Sequence, residues 1–382
     1  MTRPTITTDV AIVGGGVVGC AAAYYLAMAG IEVVLLERRE LNREASGTNA
    51  GSLHLQLLRQ PSWSKEWISK VKPSLELHRL AAISWQGLEA ELDSDLGIHL
   101  GGGVMVAESP IGVRRLRDKV RLERSLGIDT ELITQAELRA LVPVLNDKLL
   151  AADYKVVEGH ANPLLVAPAF AMRATGKGAR VLTHSEVQSI ELQSGGGFTL
   201  ACAGGLEVRA RRVVNAAGAW SGQVTRMVGL TLPMGGDVLH MNVTEPLPPS
   251  LDFIVQHVER RLTLKQTSAG TFLIGGGWPG SYDLASNTKL THRDSVEGNL
   301  WVASQTVPLL KQATVIRTWG GLGANTSDWL PVIGEAKRVR GFYTLFVGLG
   351  FTLGPISAQL LSEIVTGAEP SANVDAYSPE RF

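Results

Sequence analysis

Cysteine is nearly missing from this chain. Cys20 and Cys202 are the only two among 382 residues, too few for a disulfide framework or for a zinc or iron–sulfur site built by this chain alone. A reducing, cytoplasmic setting is the resulting expectation. Excess charge is lacking too: 36 Lys plus Arg stand against 36 Asp plus Glu, which gives no electrostatic reason for a nucleic-acid or anionic-membrane partner. The first ten residues do not run from a basic start into an apolar core, as a secretory signal would. The apolar stretch 10–29 approaches membrane-spanning length, but Gly14, Gly15, Gly16 and Gly19 break it where a strand would turn into a helix. Repeats, low-complexity tracts and long linkers are absent as well. What is left is a globular chain, 45% hydrophobic, large enough for two connected lobes and suited to a small-molecule ligand.

Glycine, in contrast, is plentiful, and its first cluster carries chemistry. Residues 9–13 form an apolar run suited to a buried parallel strand, and 17–29 are apolar on nearly every face with Gly30 as a stop. Residues 32–36 give a second strand that ends at Glu37. In this βαβ unit Gly14 permits the tight turn, Gly16 lets backbone approach a pyrophosphate, and Gly19 lets helix and strand pack closely. Val17 and Val18 open a helix whose free N–H groups and positive dipole end suit phosphates. Glu37 can accept both ribose hydroxyls, so the set predicts a dinucleotide site. Gly15 reads as turn filler, and Cys20 as a core residue.

Further along, the spacing predicts helices over 62–96 and 113–126 that cap the first lobe, and a capping-box helix over 134–141 that Pro143 ends. Another helix, 164–177, leads to a strand at 179–182 and an antiparallel meander through 190–192, 198–202 and 206–210, with a buried strand at 212–215. Residues 230–315 are strand-rich, including a hairpin of 262–266 and 271–274 around the turn 268–270. The last part gives a strand at 342–347, a Gly-rich turn at 348–354 and a helix starting near Pro355. The expected fold is therefore α/β plus α+β: a Rossmann-like domain made of 1–85, 145–228 and 315–382, interleaved with an antiparallel-sheet substrate domain of 86–144 and 229–314.

Glu37 is followed by Arg38-Arg39 and then by Ala45-Ser46-Gly47-Thr48-Asn49-Ala50-Gly51. That pairing resembles the FAD-dependent D-amino-acid oxidase superfamily, which includes glycine oxidase, sarcosine oxidase and the B subunits of opine oxidases. Matching segments run the length of the chain: 159–163 (GHANP), 213–221 (VVNAAGAWS), 317–322 (RTWGGL), 326–331 (TSDWLP) and 350–355 (GFTLGP). The resemblance implies that the dinucleotide is FAD, in a domain of the GR2 type, and that no metal takes part. It implies that Arg38 and the small or hydroxylated Ser46, Gly47, Thr48, Asn49, Ala50 and Gly51 lie along the diphosphate and the flavin edge; the alternative is an ordinary surface turn. Val187 would offer backbone groups to adenine, or serve as plain core. Ala217, Gly218 and Trp220 would pass close over the cofactor. Gly348, Gly350, Phe351, Thr352 and Leu353 would aim a helix N-terminus at the flavin N1–C2=O edge, where reduction leaves negative charge.

The resemblance also implies the reaction: an amine gives up hydride to flavin N5, and the imine hydrolyses, which needs orienting groups more than acids or bases. Relatives usually clamp a substrate carboxylate with an Arg, but Gly323 and the Arg-free Gly348-Leu349-Gly350 stand in those places here. This departure, with the segments 51–54 and 262–266, is more similar to the B subunits of opine oxidases and of hydrogen cyanide synthase. Those subunits work with partner chains that carry iron–sulfur and further redox centres. Pocket candidates are His54, His257, Lys265, Gln266, Trp278 and Arg317. Lys265 is a charge within an alternating strand that faces either the flavin or solvent, and Arg317 either binds a carboxylate or pairs structurally. His54 and His257 carry a plain structural alternative, as does Trp278. A homomeric glycine, sarcosine or D-amino-acid oxidase, a D-hydroxyproline dehydrogenase, a flavoprotein with a structural or regulatory role, and a nicotinamide dehydrogenase are the competing readings.

Overall fold

The computed structural model describes residues 4–57, 65–283, 286 and 288–382. Strand β1 (Thr5–Val13), helix α1 (Val17–Met28) and strand β2 (Val33–Leu36) form the expected βαβ unit. The strands lie parallel, with Val10 opposite Val33. Their unbroken apolar character follows from cover on both faces. Val10 and Ile12 of β1 pack with Cys20 and Leu26 of α1, Phe170 of the helix Pro163–Gly176 and Leu360 of the helix Gly350–Thr366. Ala11 and Val13 pack on the opposite side with Ile190, Phe198 and Leu200 of the meander. The whole sheet runs in the order Val332–Glu335, Phe342–Phe346, Glu207–Asn215, β1, β2, Arg180–Leu182, and the strands Phe198–Cys202 and Val187–Leu192 extend it from Glu207–Asn215.

The second sheet also has eight strands, ordered Val315–Leu322, Val238–Pro246, Thr271–Gly275, Thr263–Gln266, Ile254–His257, Gly103–Ala107, Ala151–Lys155 and Glu131–Thr134. It is antiparallel except where Ile254–His257 runs parallel to Gly103–Ala107, two segments brought together from distant parts of the chain. Alternation locates strands in a sequence but does not name their partners, and here strands on either side of 145 and of 315 pair with each other. Ala151–Lys155 pairs with Gly103–Ala107 and Val315–Leu322 with Val238–Pro246, so both belong to the second sheet.

Three helices differ from expectation in position or extent. The 62–96 helix is observed as Lys65–Leu92, and its expected start at 62–64 lies outside the described residues. Helix Pro110–Ser125 packs on the second sheet, not the first lobe: Leu116 sits against Met105, Ala107 and Val258. Its N-cap is held there by Glu259, which accepts the Glu108 N–H at 2.8 Å and the Ser109 N–H at 3.3 Å. The C-terminal helix begins at Gly350, so Pro355 lies inside it rather than at its start. Thr134 and Glu137 form the expected capping box on Gln135–Leu141.

Candidate active site

The Gly-rich turn is shaped by close approach. Gly14 has φ +115°, and a Cβ there would sit 2.5 Å from the Ala216 carbonyl oxygen; at Gly19 it would sit 2.0 Å from the Gly14 carbonyl oxygen. Gly15 is more than filler. Its N–H donates to Glu37 Oε2 at 2.7 Å, and a side chain would collide with Leu41 and with the Glu37 Cβ at 2.8 Å. Glu37 also accepts the Arg39 N–H at 2.8 Å, and a carboxylate with about four acceptor positions keeps capacity for a ribose. Beside Gly16, the Ser46 hydroxyl accepts the Val17 N–H of the α1 terminus at 2.9 Å.

From this turn a cavity of about 1370 Å³ runs toward the second sheet, more than the ~300–1,000 Å³ of a single drug-sized ligand. Gly14, Gly16, Val17, Val18, Glu37 and Arg38 line one end. There Arg38 stacks over Trp220, 3.8 Å from the ring centroid, and Val187, Ala217 and Gly218 complete the wall. Ser46, Thr48, Asn49 and Ala50 line its middle, with Gly348, Gly350, Phe351 and Thr352 facing them. Gly19, Gly47, Gly51 and Leu353 are not wall residues. They shape it from behind: a Cβ on Gly47 would meet the Asn42 carbonyl oxygen at 1.9 Å and one on Gly51, where φ is +72°, the Ala161 carbonyl oxygen at 2.1 Å, while Leu353 packs in the core. Two hydrogen bonds tie the middle together, from Trp319 Nε1 to the Thr48 carbonyl at 2.8 Å and from the His54 N–H to Thr352 Oγ1 at 3.1 Å.

Of the six pocket candidates, only His54 lies in the cavity wall. Burial, helped by Lys265 and His78, pushes its pKa down to about 4, so the imidazole is neutral at pH 7. Lys265 is 2% exposed, which excludes a solvent-facing strand residue. It shares a strand face with the wall residue Thr263, and burial lowers it to about 7. Gln266 points the opposite way and is fully used: its side chain accepts from the Ser250 and Leu251 N–H groups and donates to the carbonyls of Leu247, Pro248 and Gly270. His257 also faces away, accepting the Glu259 N–H at 3.1 Å, with ligand atoms of Glu108, His257 and Glu259 within 4.8 Å of one another. Both Glu259 oxygens already serve the Ser109 cap. Arg317 is exposed and lies over Trp319 at 5.3 Å, outside the wall. Trp278 donates to the Arg261 carbonyl at 2.8 Å and lines a neighbouring surface pocket.

Residues that the sequence did not single out complete the second-sheet end: Met241, Gln256, Arg260, Arg261 and Thr263. Arg261 is exposed, whereas Arg260 is paired to Glu108 at 2.5 Å. The usable signal for Gln256 was a polar residue directly after the apolar pair Ile254-Val255, one position before His257 and so on the other face of the strand.

FAD fits these residues. A Cβ at Gly14, Gly16 or Gly19 would collide with Ala216, Ser46 or Gly14, so the turn that forms the cradle closes only without side chains, and in the cavity wall Ser52 Oγ and His54 Nδ1 are enclosed with no hydrogen-bond partner among the described residues, as expected where a ligand supplies the polar edge. A strand–turn–helix cradle continuous with a cavity on a second sheet defines a dinucleotide-dependent protein with a separate substrate-facing lobe. The profile described as "DAO: FAD dependent oxidoreductase" matches residues 9–364, and the chain belongs to that family. It is 28% identical to glycine oxidase of Geobacillus kaustophilus, covering 98% of this chain and 97% of that one. It is 25% identical to the B subunit of the Rhizobium meliloti opine oxidase, again over 98% and 97%. Mouse mitochondrial dimethylglycine dehydrogenase is 27% identical over 98% of this chain, but the chain spans only 44% of that protein. The crystal structure of the Geobacillus kaustophilus glycine oxidase superposes with a TM-score of 0.88 at 26% identity, covering all of both chains. No helix among the described residues is long and apolar enough to cross a membrane.

Proposed function

We propose that this chain oxidises the C–N bond of an amino acid or secondary amine, with an opine-like amine that carries carboxylates as the favoured substrate. The observation that carries the reading is the continuity of one cavity from the Gly-rich turn to Gln256 and Arg261, which gives cofactor and substrate a shared space. FAD, when bound, supplies the acceptor for the hydride of the carbon next to nitrogen, and water then hydrolyses the imine. The protein's part is to orient and to exclude water. Neutral His54 adds no charge beside the substrate nitrogen. At the mouth Arg261 offers the bidentate carboxylate partner that Arg317, turned outward, does not.

A heteromeric arrangement is part of the proposal, with this chain as catalytic subunit and an iron–sulfur partner taking the electrons. It is supported by the match to the opine oxidase B subunit over nearly the full length of both chains and by the chain's two buried, unpaired cysteines, which provide no cluster ligands. The resemblance to glycine oxidase supports a second reading, a homomer that passes electrons to oxygen. Anaerobic mixing with opines, iminodiacetate, sarcosine, glycine, D-amino acids and hydroxyproline, alone and with copurified partner chains, tests both. Bleaching of the flavin by a carboxylated secondary amine is expected, together with a KM at least about tenfold higher in Arg261→Ala. A flavin that no amine bleaches would end the proposal, and peroxide made by the lone chain would move it to the homomeric reading.

A further inference from the structure

Behind the cavity wall lies a file of buried polar side chains that the cofactor site does not use. Lys119 and Gln56 are 0% exposed, Glu158 0% and Gln256 2%. Lys119 Nζ donates to Gln56 Oε1 at 2.8 Å, to Glu123 Oε2 at 2.8 Å and to Asp153. Gln56 Nε2 donates to Glu158 Oε2, and Gln256 Nε2 donates to Glu158 Oε1 at 3.3 Å. Each link has only one sensible polarity. An ammonium only donates, so Gln56 must turn its oxygen to Lys119 and its amide nitrogen to Glu158. An ionised carboxylate only accepts, so Gln256 must also present its nitrogen to Glu158. The oxygen of Gln256 is thereby directed away from the file, and it accepts no hydrogen bond from the described residues. Gln256 lies in the cavity wall, paired across the sheet with the wall residue Thr263.

We propose that Gln256 selects the substrate: its side-chain oxygen, turned outward by the Glu158–Gln56–Lys119 file, accepts the N–H of a primary or secondary amine. Glu158 and Gln56 are positioning residues that act through Gln256. The inference rests on the proposed function for the class of its substrate, but its test reads binding rather than turnover. An inward-turned oxygen would oppose the Glu158 carboxylate, acceptor against acceptor. The outward one favours N–H and repels the lone pairs of an ether oxygen at the same place. Burial raises Glu158 to about 7, so at pH 8 it is ionised and the polarity is set.

Iminodiacetate and diglycolate share a skeleton and two carboxylates and differ at the central group, a protonated amine with N–H donors at pH 8 against an ether oxygen. The accompanying charge difference is the same for wild type and variants, so the change on substitution is what reports Gln256. Anaerobic calorimetric titration at pH 8 of the FAD-loaded protein, its flavin reduced beforehand with dithionite so that neither ligand is oxidised, gives the ratio of their affinities. The expected wild-type preference for iminodiacetate is about tenfold or more. In Gln256→Met it falls to about twofold or less, through weaker iminodiacetate binding with diglycolate unchanged. In Glu158→Gln the new amide can donate to Gln256 and release its orientation, so the preference shrinks while FAD content stays full. The inference is overturned by a wild type that binds neither ligand or shows no preference, by a Gln256→Met preference equal to wild type, or by equal weakening of both ligands. Should Gln256→Met fail to fold, an unchanged preference in Glu158→Gln overturns it. A Gln256-dependent preference with a flavin that is never bleached keeps this inference and removes the proposed function.

Discussion

Between Gly14 and Glu37 the cavity wall is made by leaving side chains out, while between Gln256 and Lys119 it is backed by side chains that are fully buried and mutually paired. At the first end a missing Cβ lets Gly14 lie against the Ala216 carbonyl and Gly15 against Glu37. At the second, Lys119 lies between Glu123 and Asp153, and Glu123 also accepts the Leu57 N–H at 2.7 Å. The nucleotide end is built around one βαβ unit, against which the backbone at Ala216 and the Ser46 hydroxyl close. The Gln256 end draws on Gln56, Lys119, Asp153 with Glu158, and Gln256, which come from four separate stretches of the chain. A defect at the first end should therefore cost the ligand, and a defect at the second should cost the fold.

The sharpest way to break that contrast is Gly14→Val. The substitution imposes a β-branched side chain at φ +115° and a Cβ contact of 2.5 Å with backbone, together costing on the order of 5 kcal/mol. The flavin-to-protein absorbance ratio after purification should fall about tenfold or more, and full FAD content would refute the account of the turn. At the other end Lys119→Met leaves Glu123 and Asp153 buried without their cation, a loss of about 3–5 kcal/mol. Unfolding in saturating FAD should report it, with a normal flavin spectrum in whatever fraction stays folded. An unchanged midpoint would mean that the file carries no structural weight.

The same contrast explains what the sequence made legible. Gly14, Gly16, Gly19 and Glu37 were readable because their meaning is local, and so were the Thr134 capping box and the meander. Gln256 and Glu158 were not, since a polar residue at the end of a short apolar pair acquires its role only from partners far along the chain. His257 could have been set aside by strand alternation once Gln256 was assigned to the cavity face. Arg317 and Trp319 share a strand face, but nothing local says that Arg317 is turned to solvent. Pro355 misled because Pro is so often a first helical residue; here Gly350 and Gly354 open the helix against Val18, to which their Cβ atoms would come within 3.4 and 3.1 Å.

Lys265 gives a smaller test with a definite sign. Its folded pKa, lowered by burial to about 7 from 10.5, means that between those values the unfolded chain holds the extra proton, so stability rises with pH across that window. Below pH 7 the folded protein must carry the buried charge. Lys265→Met should therefore stabilise the protein by ~2 kcal/mol at pH 6, with the advantage shrinking as the pH is raised from 7 toward 10. Thermal unfolding at pH 6, 8 and 9.5 measures this, and destabilisation at pH 6 would show that Lys265 is paired when FAD is bound.

The smallest expected effect returns to the nucleotide end, where Arg38 joins Glu37 as a charged side chain in the wall. Arg38 lies 3.8 Å over the Trp220 ring and 3.4 Å from a Glu44 carboxylate oxygen. With a quarter of its side chain exposed, the stack is worth about 0.5–1 kcal/mol. Arg38→Ala should thus weaken FAD two- to fivefold, on the order of 0.5–1 kcal/mol, in a titration of the apoprotein, and leave its unfolding midpoint nearly unmoved. A loss as large as that of Gly14→Val would mean that this end, too, is held by side chains rather than by the turn. A fall in midpoint without a change in FAD affinity would place Arg38 with the structural charges of the other end.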